Sequence, residues 1–253
     1  MGLAIEGFKP IVELQFADFV TDGFNQIVNN LAKTFYRWGQ PINVTLRLPT
    51  GGCIGAGPFH SQNNESWFFH VPGLKIVYPS SAYDAKGLLC SSIDDNNPVL
   101  FFEHKALYRS IKGEIPEKMY DIEIGKSKVV KEGSDLSIIT YGMGVHWALD
   151  YARKSKYDIE IIDLRTLAPL DIKGIKKTVE KTNRVLILHE DNITGGIGAE
   201  ISAIITENSF DSLDAPVMRL GSADTPVPFS KELENIYLPI NKIDRVIHKL
   251  MSF

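Results

Sequence analysis

His60 closes a glycine-rich stretch, Pro49-Thr-Gly-Gly-Cys-Ile-Gly-Ala-Gly-Pro-Phe-His60, and is followed by Ser61 and Gln62. An imidazole titrates closer to neutrality than other side chains, so a histidine presented on a loop can take up and return a proton during a reaction. Gly51, Gly52, Gly55 and Gly57, with Pro49 and Pro58, cannot continue the apolar strand Ile42 to Leu48, because they favour turns and lack packing side chains. The chain therefore leaves the sheet here, and in open α/β sheets loops at the carboxyl ends of strands line the ligand crevice. Spacing alone leaves two readings of His60 open: a catalytic imidazole, or a loop histidine that is solvated or bonded to backbone.

The other reactive residue types give weaker signals. Cys53 and Cys90 have no partner cysteine or histidine at metal-ligand spacing and are expected to be reduced and packed. Neither Gly51 to Gly57 nor Gly195-Gly196-Ile-Gly198 forms G-x-G-x-x-G, and neither carries the Gly-Lys-Ser/Thr of a P-loop. Close packing of a helix on a sheet is the commoner reason for glycines such as Gly195 to Gly198.

The elements that must position His60 follow from hydrophobic periodicity. Strand-like runs at Ile11 to Leu14, Val44 to Leu48, Lys75 to Tyr78 and Val99 to Glu103 alternate with helical stretches at Asp22 to Trp38 and Ala82 to Ile93, which is βαβ punctuation. The segment from Ser110 to Tyr120 loses periodicity and reads as a linker, dividing the chain into domains 1–115 and 116–253. A second βα series then begins: strand Leu136 to Tyr141, turn Gly142-Met-Gly144, helix Val145 to Lys154 and strand Ile159 to Leu164. It continues with a helix capped by Asp171 and running to about Lys181, strand Arg184 to His189, helix Ala199 to Asn208 and a last strand Pro216 to Leu220. The fold class is α/β.

Composition excludes several functions. With 253 residues, 44% hydrophobic and 23% charged, the chain is an ordinary globular sequence, and 27 Lys plus Arg against 31 Asp plus Glu gives a net charge of −4 without a basic block for nucleic acid. No apolar run approaches the roughly 20 residues that cross a bilayer, and the first residues lack the order of a secretion signal. No membrane partner and a cytoplasmic or matrix-type location are the expectation.

A resemblance then joins these motifs. Val12-Glu-Leu-Gln-Phe-Ala-Asp-Phe19, Phe24-Asn-Gln-Ile-Val-Asn, the glycine loop with His60-Ser-Gln62, Pro72-Gly-Leu-Lys75, Tyr83-Asp-Ala-Lys-Gly-Leu88, Asn97-Pro98 and Phe101-Phe-Glu103 follow one another in an order that resembles the beta subunit of thiamine-diphosphate-dependent 2-oxo acid dehydrogenases. Ile161-Ile-Asp-Leu-Arg-Thr-Leu-Ala-Pro-Leu170, His189-Glu190, Thr194-Gly-Gly196 and Asp224-Thr-Pro-Val-Pro228 are similar to that subunit's C-terminal domain, so the resemblance covers nearly the whole chain. It implies a thiamine-diphosphate pyrimidine-binding domain lacking its N-terminal part, followed by a transketolase C-terminal-like α/β domain.

In that family thiamine diphosphate attacks the oxo carbon, carbon dioxide leaves, and the acyl group passes to a lipoyl arm. The alpha subunit holds the diphosphate and Mg²⁺ while the beta subunit holds the aminopyrimidine, so the resemblance implies an alpha partner or a fused alpha region. It also implies beta-beta self-association and docking on a lipoyl-bearing transacylase core, with Glu190 and Asp191 as acidic docking candidates or, equally, caps of the turn before Gly195. His60 matches the active-site histidine, Phe19 the aromatic position near the aminopyrimidine, and Gln15 a neighbour on the same side. A monovalent cation site, usually K⁺, falls on Ile42, Val44, Thr45, Ser92, Asp95 and Asn97, although Asp95 and Asn97 also explain themselves as turn residues.

One departure stands out. The family's cofactor-activating glutamate lies upstream of a helix within which this sequence begins, and Glu6 falls too late to match it, reading instead as a surface residue before the turn at Gly7. The expectation is a truncated product or a piece of a longer polypeptide, inactive by itself and exposing a sheet edge that favours association. The Gln15 to Phe19 run looks more like the branched-chain than the pyruvate enzymes, with pyruvate as the alternative. Two other readings stand behind it: a non-catalytic scaffold, and a sugar-phosphate enzyme of the transketolase type, which would need basic residues beyond Arg47 and Lys105 near the strand ends.

Overall fold

Val99 to His104 is buried along its whole length and Thr45 to Thr50 at every residue but Arg47, as strands covered on both faces must be. The computed structural model describes residues 1–253 and divides them into two units, Met1–Gly125 with Thr166–Pro169, and Lys126–Arg165 with Leu170–Phe253.

The first unit opens with the short helix α1 (Gly2–Ile5) and the edge strand β1 (Ile11–Glu13). A 3₁₀ segment, Ala17–Gly23, a π-helical stretch, Gln26–Leu31, and α2 (Ala32–Trp38) follow. The single helix expected from Asp22 to Trp38 is thus three pieces. Asn29, Asn30 and Lys33 bond side chains four residues back, and the Thr34 hydroxyl donates to the Asn30 carbonyl at 2.5 Å, so one side chain competes for the ladder where the helix widens. β2 (Thr45–Thr50), α3 (Ser66–Phe69), β3 (Lys75–Val77), α4 (Ala82–Asp94), β4 (Val99–His104) and α5 (Leu107–Ser110) complete the series. The Ser81 hydroxyl caps α4 by accepting from Asp84 N at 3.1 Å. Strands β1, β2, β4 and β3 lie side by side in that order, all parallel.

Residues 116–125, grouped with the second domain on sequence grounds, lie on the first unit. Ile122 and Ile124 pack against the cluster Val77, Leu88, Val99 and Phe101, and the Tyr120 ring stacks on Tyr83 at 4.6 Å. Lys86 Nζ donates to the carbonyls of Pro116, Glu117 and Lys118, which orders a segment whose polar composition reads as a linker.

The second unit runs β5 (Lys128–Lys131), β6 (Leu136–Thr140), α6 (Met143–Ala152), β7 (Ile159–Asp163), then, beyond the excursion β8 (Thr166–Ala168), α7 (Ile172–Thr182), β9 (Val185–Asn192), α8 (Ile197–Ser209), β10 (Met218–Ser222), α9 (Lys231–Tyr237) and α10 (Ile243–Leu250). Its sheet order is β10-β9-β6-β7-β5, parallel except for β5. Strand β8 pairs antiparallel with β3 and belongs to the first unit. Regular structure does not end at Leu220: α10 buries Ile243, Ile247 and Leu250 in the core at helical spacing. Gly196 and Gly198 at the start of α8 lie against the buried His189 ring, where a Cβ would come within 2.6 and 2.8 Å, so packing accounts for these glycines. No helix is long and apolar enough to cross a membrane.

Candidate active site

The end of β2 turns at Gly51, whose φ of +90° and contact with the His104 ring leave no room for a Cβ. The loop then returns to the same place. Gly51 N donates to Gln62 O at 3.1 Å and the Thr50 hydroxyl to the same oxygen at 2.7 Å. From the other side, Gln62 N and Nε2 donate to Asp18 Oδ1 at 3.0 and 3.1 Å, and Asn64 Nδ2 to Ala17 O at 2.8 Å. These bonds fix the loop carrying His60 to the 3₁₀ segment carrying Phe19.

Between the two anchors the half-buried His60 ring lies edge-on to two aromatic rings, Phe16 at 5.6 Å and Phe19 at 5.4 Å between centroids. Its backbone N–H bonds Gly57 O, but no side chain or carbonyl of the chain bonds the imidazole. The backbone-bonded alternative is therefore not what this histidine does. Phe19 is 41% exposed, a large value for an aromatic ring inside a folded loop. Gln15 is exposed nearby and makes no hydrogen bond to His60.

Charged groups gather at the same carboxyl ends because parallel register aligns them: Glu13 opposite Arg47, and Glu103 and His104 opposite Pro49 and Thr50. Arg47 grips Glu103 with Nε and Nη2 at 2.7 and 2.8 Å and Glu13 with Nη1 at 2.5 Å. The bond to Glu103 raises the guanidinium pKa, and burial together with a 2.5 Å bond to Glu103 raises that of Tyr108. Arg47 is engaged by two carboxylates, which would compete with a phosphate for one of the two cations of the sugar-phosphate reading. Lys105 is buried with its ammonium 4.8 Å over the Phe16 ring, a cation–π contact. Asp18 carries no sequence signal of its own, whereas Lys105, expected near a strand end, lies just past β4 with its N–H on Thr50 O at 3.0 Å.

The cation positions lie together at the start of β2 and the end of α4. Asn43 Nδ2 donates to Ile93 O at 3.0 Å and Val99 N to Val44 O at 2.9 Å. The Ser92 hydroxyl is spent on Leu88 O at 2.7 Å. Asp95 takes Lys75 on one oxygen and Asn97 N and Nδ2 on the other, at 2.9 and 2.8 Å. Burial raises its pKa, yet the bonds from Lys75 and Asn97 outweigh burial and hold it below the ordinary carboxylate value. Ile42, Val44 and Thr45 would have to offer carbonyls.

Two expectations are corrected. Cys53 is exposed in the left-handed region, φ +64°, rather than packed; Cys90 is partly buried, and neither forms a disulfide. Glu190 and Asp191 are buried in β9 and present no acidic docking surface. Asp191 Oδ1 instead accepts from Asn192 N at 2.8 Å, as a turn-forming residue does. Glu6 is exposed before Gly7, as read from the sequence.

Profiles of known families match both units: one described as "Transketolase, pyrimidine binding domain" over residues 1–111, the other as "Transketolase, C-terminal domain" over 125–242. The pyruvate dehydrogenase E1 component subunit beta of Staphylococcus aureus (strain Mu50 / ATCC 700699) is 46% identical over 249 residues, spanning 96% of this chain and 76% of the relative. The chain belongs to the beta-subunit family of thiamine-diphosphate-dependent 2-oxo acid dehydrogenases. A second member, from Staphylococcus epidermidis (strain ATCC 35984), is 43% identical over 247 residues with the same coverage. The fold of this beta-subunit-family chain is also that of a structure described as a split gene transketolase, inactive beta4 tetramer, at TM-score 0.80 over 99% of this chain and 78% of that one, with 21% identity.

For a beta-subunit-family chain, the residues present fit one end of thiamine diphosphate. An exposed aromatic face at Phe19 beside an imidazole without a protein partner suits a flat heteroaromatic ring. Within the chain no group of three or more His, Cys, Asp and Glu is placed to hold a metal ion.

Proposed function

We infer that this chain serves as the beta component of a pyruvate dehydrogenase, completing an active site with an alpha-type partner that carries the diphosphate and Mg²⁺. The observation that carries the reading is the His60 imidazole, wedged between Phe16 and Phe19 with no hydrogen bond to its own chain. Its named relatives act on pyruvate in their printed names, which favours that acid. The branched-chain reading rests on the Gln15 to Phe19 run.

Bound thiamine diphosphate supplies the nucleophilic carbon and the electron sink that loss of carbon dioxide requires. The chain's own residues do the rest. His60 gives or takes a proton at a ring nitrogen as charge develops on the substrate oxygen, or assists acyl transfer to a lipoyl arm on a transacylase core. Phe16 and Phe19 keep that nitrogen oriented and exclude water from one side of the ring. Phe19, with Gln15 beside it, faces the aminopyrimidine. A K⁺ ion at the carbonyls of Ile42, Val44 and Thr45, near Ser92, Asp95 and Asn97, would tie the start of β2 to the end of α4. Two copies of the chain associate in the assembled enzyme.

The test is to tag the chain in its source cell, recover what co-purifies, and assay thiamine-diphosphate-dependent decarboxylation of pyruvate and 3-methyl-2-oxobutanoate. Pyruvate turnover that requires a co-purified alpha-type partner is the expected result. Turnover of the branched acid alone would reassign the substrate, and no turnover of either with the partner present would favour the scaffold.

A further inference from the structure

We propose that Asp18 is the positioning residue of the candidate site, its carboxylate setting His60 against Phe19 by holding Gln62; the inference rests on the catalytic reading of His60. Asp18 is buried, 8% exposed, one residue before Phe19, and Gln62 lies two residues after His60. A single oxygen, Asp18 Oδ1, accepts both the main-chain and the side-chain N–H of Gln62, at 3.0 and 3.1 Å. The Gln62 carbonyl is held independently by Gly51 N and the Thr50 hydroxyl. All the hydrogen-bonding groups of Gln62 that face the protein are thus spent on fixing where the loop ends. The Asp18 clamp is what joins that end to the segment bearing Phe16 and Phe19.

The other oxygen, Asp18 Oδ2, is buried without a hydrogen-bond partner. A buried carboxylate with one oxygen unbonded is destabilising, and a residue kept only for stability would be expected to satisfy both. Joining two loops by one charged acceptor gives strong bonds of fixed geometry, which suits a site where an imidazole must keep its position relative to an aromatic platform. Asn64, two residues past Gln62, bonds the carbonyl of Ala17, the residue before Asp18, and supports the same junction.

The experiment reads His60 directly, without requiring activity. The rate at which diethyl pyrocarbonate carbethoxylates His60 is followed by peptide mass spectrometry in the chain and in Asp18→Ala, Asp18→Asn and Gln62→Met, with far-UV circular dichroism as the folding control. Loss of the clamp frees the loop, so Asp18→Ala should react at least about fivefold faster at His60, while the other histidines react as before. Asp18→Asn keeps the acceptor oxygen and should stay within about twofold of the parent; Gln62→Met loses only the side-chain leg and should fall between. An unchanged His60 rate in folded Asp18→Ala overturns the proposal. If that variant does not fold, an unchanged rate in Gln62→Met overturns it. In the partner-complemented enzyme, Asp18→Ala should lower kcat with Asp18→Asn restoring it. A His60 rate that responds to Asp18 in an enzyme indifferent to His60→Ala would leave the clamp standing and remove the catalytic reading instead.

Discussion

At the scale of single residues, two histidines show how environment decides use. His60 is half-buried and its imidazole makes no hydrogen bond within the chain, so its ring nitrogens are available to a reactant. His189 is fully buried, its Nδ1 3.0 Å from the Asp191 carbonyl and its ring enclosed by Gly196, Gly198 and Gly221. Burial holds its pKa down at about 4, against an ordinary 6.5. Because the folded value lies below the unfolded one, folding favours the neutral ring, and the stability this contributes is complete above pH 6.5 and is lost as pH falls towards 4. The loss should reach about 3 kcal/mol at the acid end. Urea titrations at pH 7, 6 and 5 should show a steeper decline in the parent chain than in His189→Gln; equal slopes would contradict the assignment. His60 and Phe19 were legible as candidates because their motif and order are local. Asp18 was not, since its role exists only once Gln62, distant in sequence, is brought to it.

Elements show the same division. Asp171 was readable as a helix cap, and its carboxylate accepts from Gly174 N at 3.0 Å, the first turn of α7, while also receiving Ser127 N and Oγ at 2.9 and 2.8 Å. Burial works against the charge, but these bonds prevail and keep the carboxyl below its usual range. Asp171→Ala should therefore destabilise the second unit by about 2 kcal/mol, a helix cap plus a stranded N–H at Ser127, measurable as a shift in the denaturation midpoint. A change within error would show that α7 does not depend on this cap. The parallel strands of both sheets were legible because such strands carry continuous apolar runs, whereas the antiparallel edge strands β5 and β8 were not: short segments without clear periodicity become strands only by pairing with β7 and β3. The interruption of the 17–38 segment was illegible for a related reason, since the 3₁₀ and π pieces sit within an otherwise helical pattern.

For the molecule as a whole, the first unit leaves the β1 edge open. Ile11 and Val12 are 50% and 43% exposed on a strand paired only with β2, and Leu3 and Phe8 of the preceding segment are exposed as well. An open apolar edge favours association. Sedimentation velocity should show self-association that rises with concentration and is reduced in Val12→Lys; a monomer at all concentrations would contradict this. The division into a pyrimidine-binding unit and a transketolase C-terminal unit was legible from motif order. The place of residues 116–125 was not, because Lys86 and Tyr83 hold that segment by contacts its own composition does not announce.

The measurement that bears most directly on the account is the turnover of pyruvate by the chain with its co-purified alpha-type partner, before and after His60→Ala, with circular dichroism confirming the fold. Placement of an unbonded imidazole between Phe16 and Phe19 predicts a fall in kcat of at least about tenfold, the lower range for loss of a proton-transfer group. Unchanged turnover in a folded His60→Ala enzyme would contradict it.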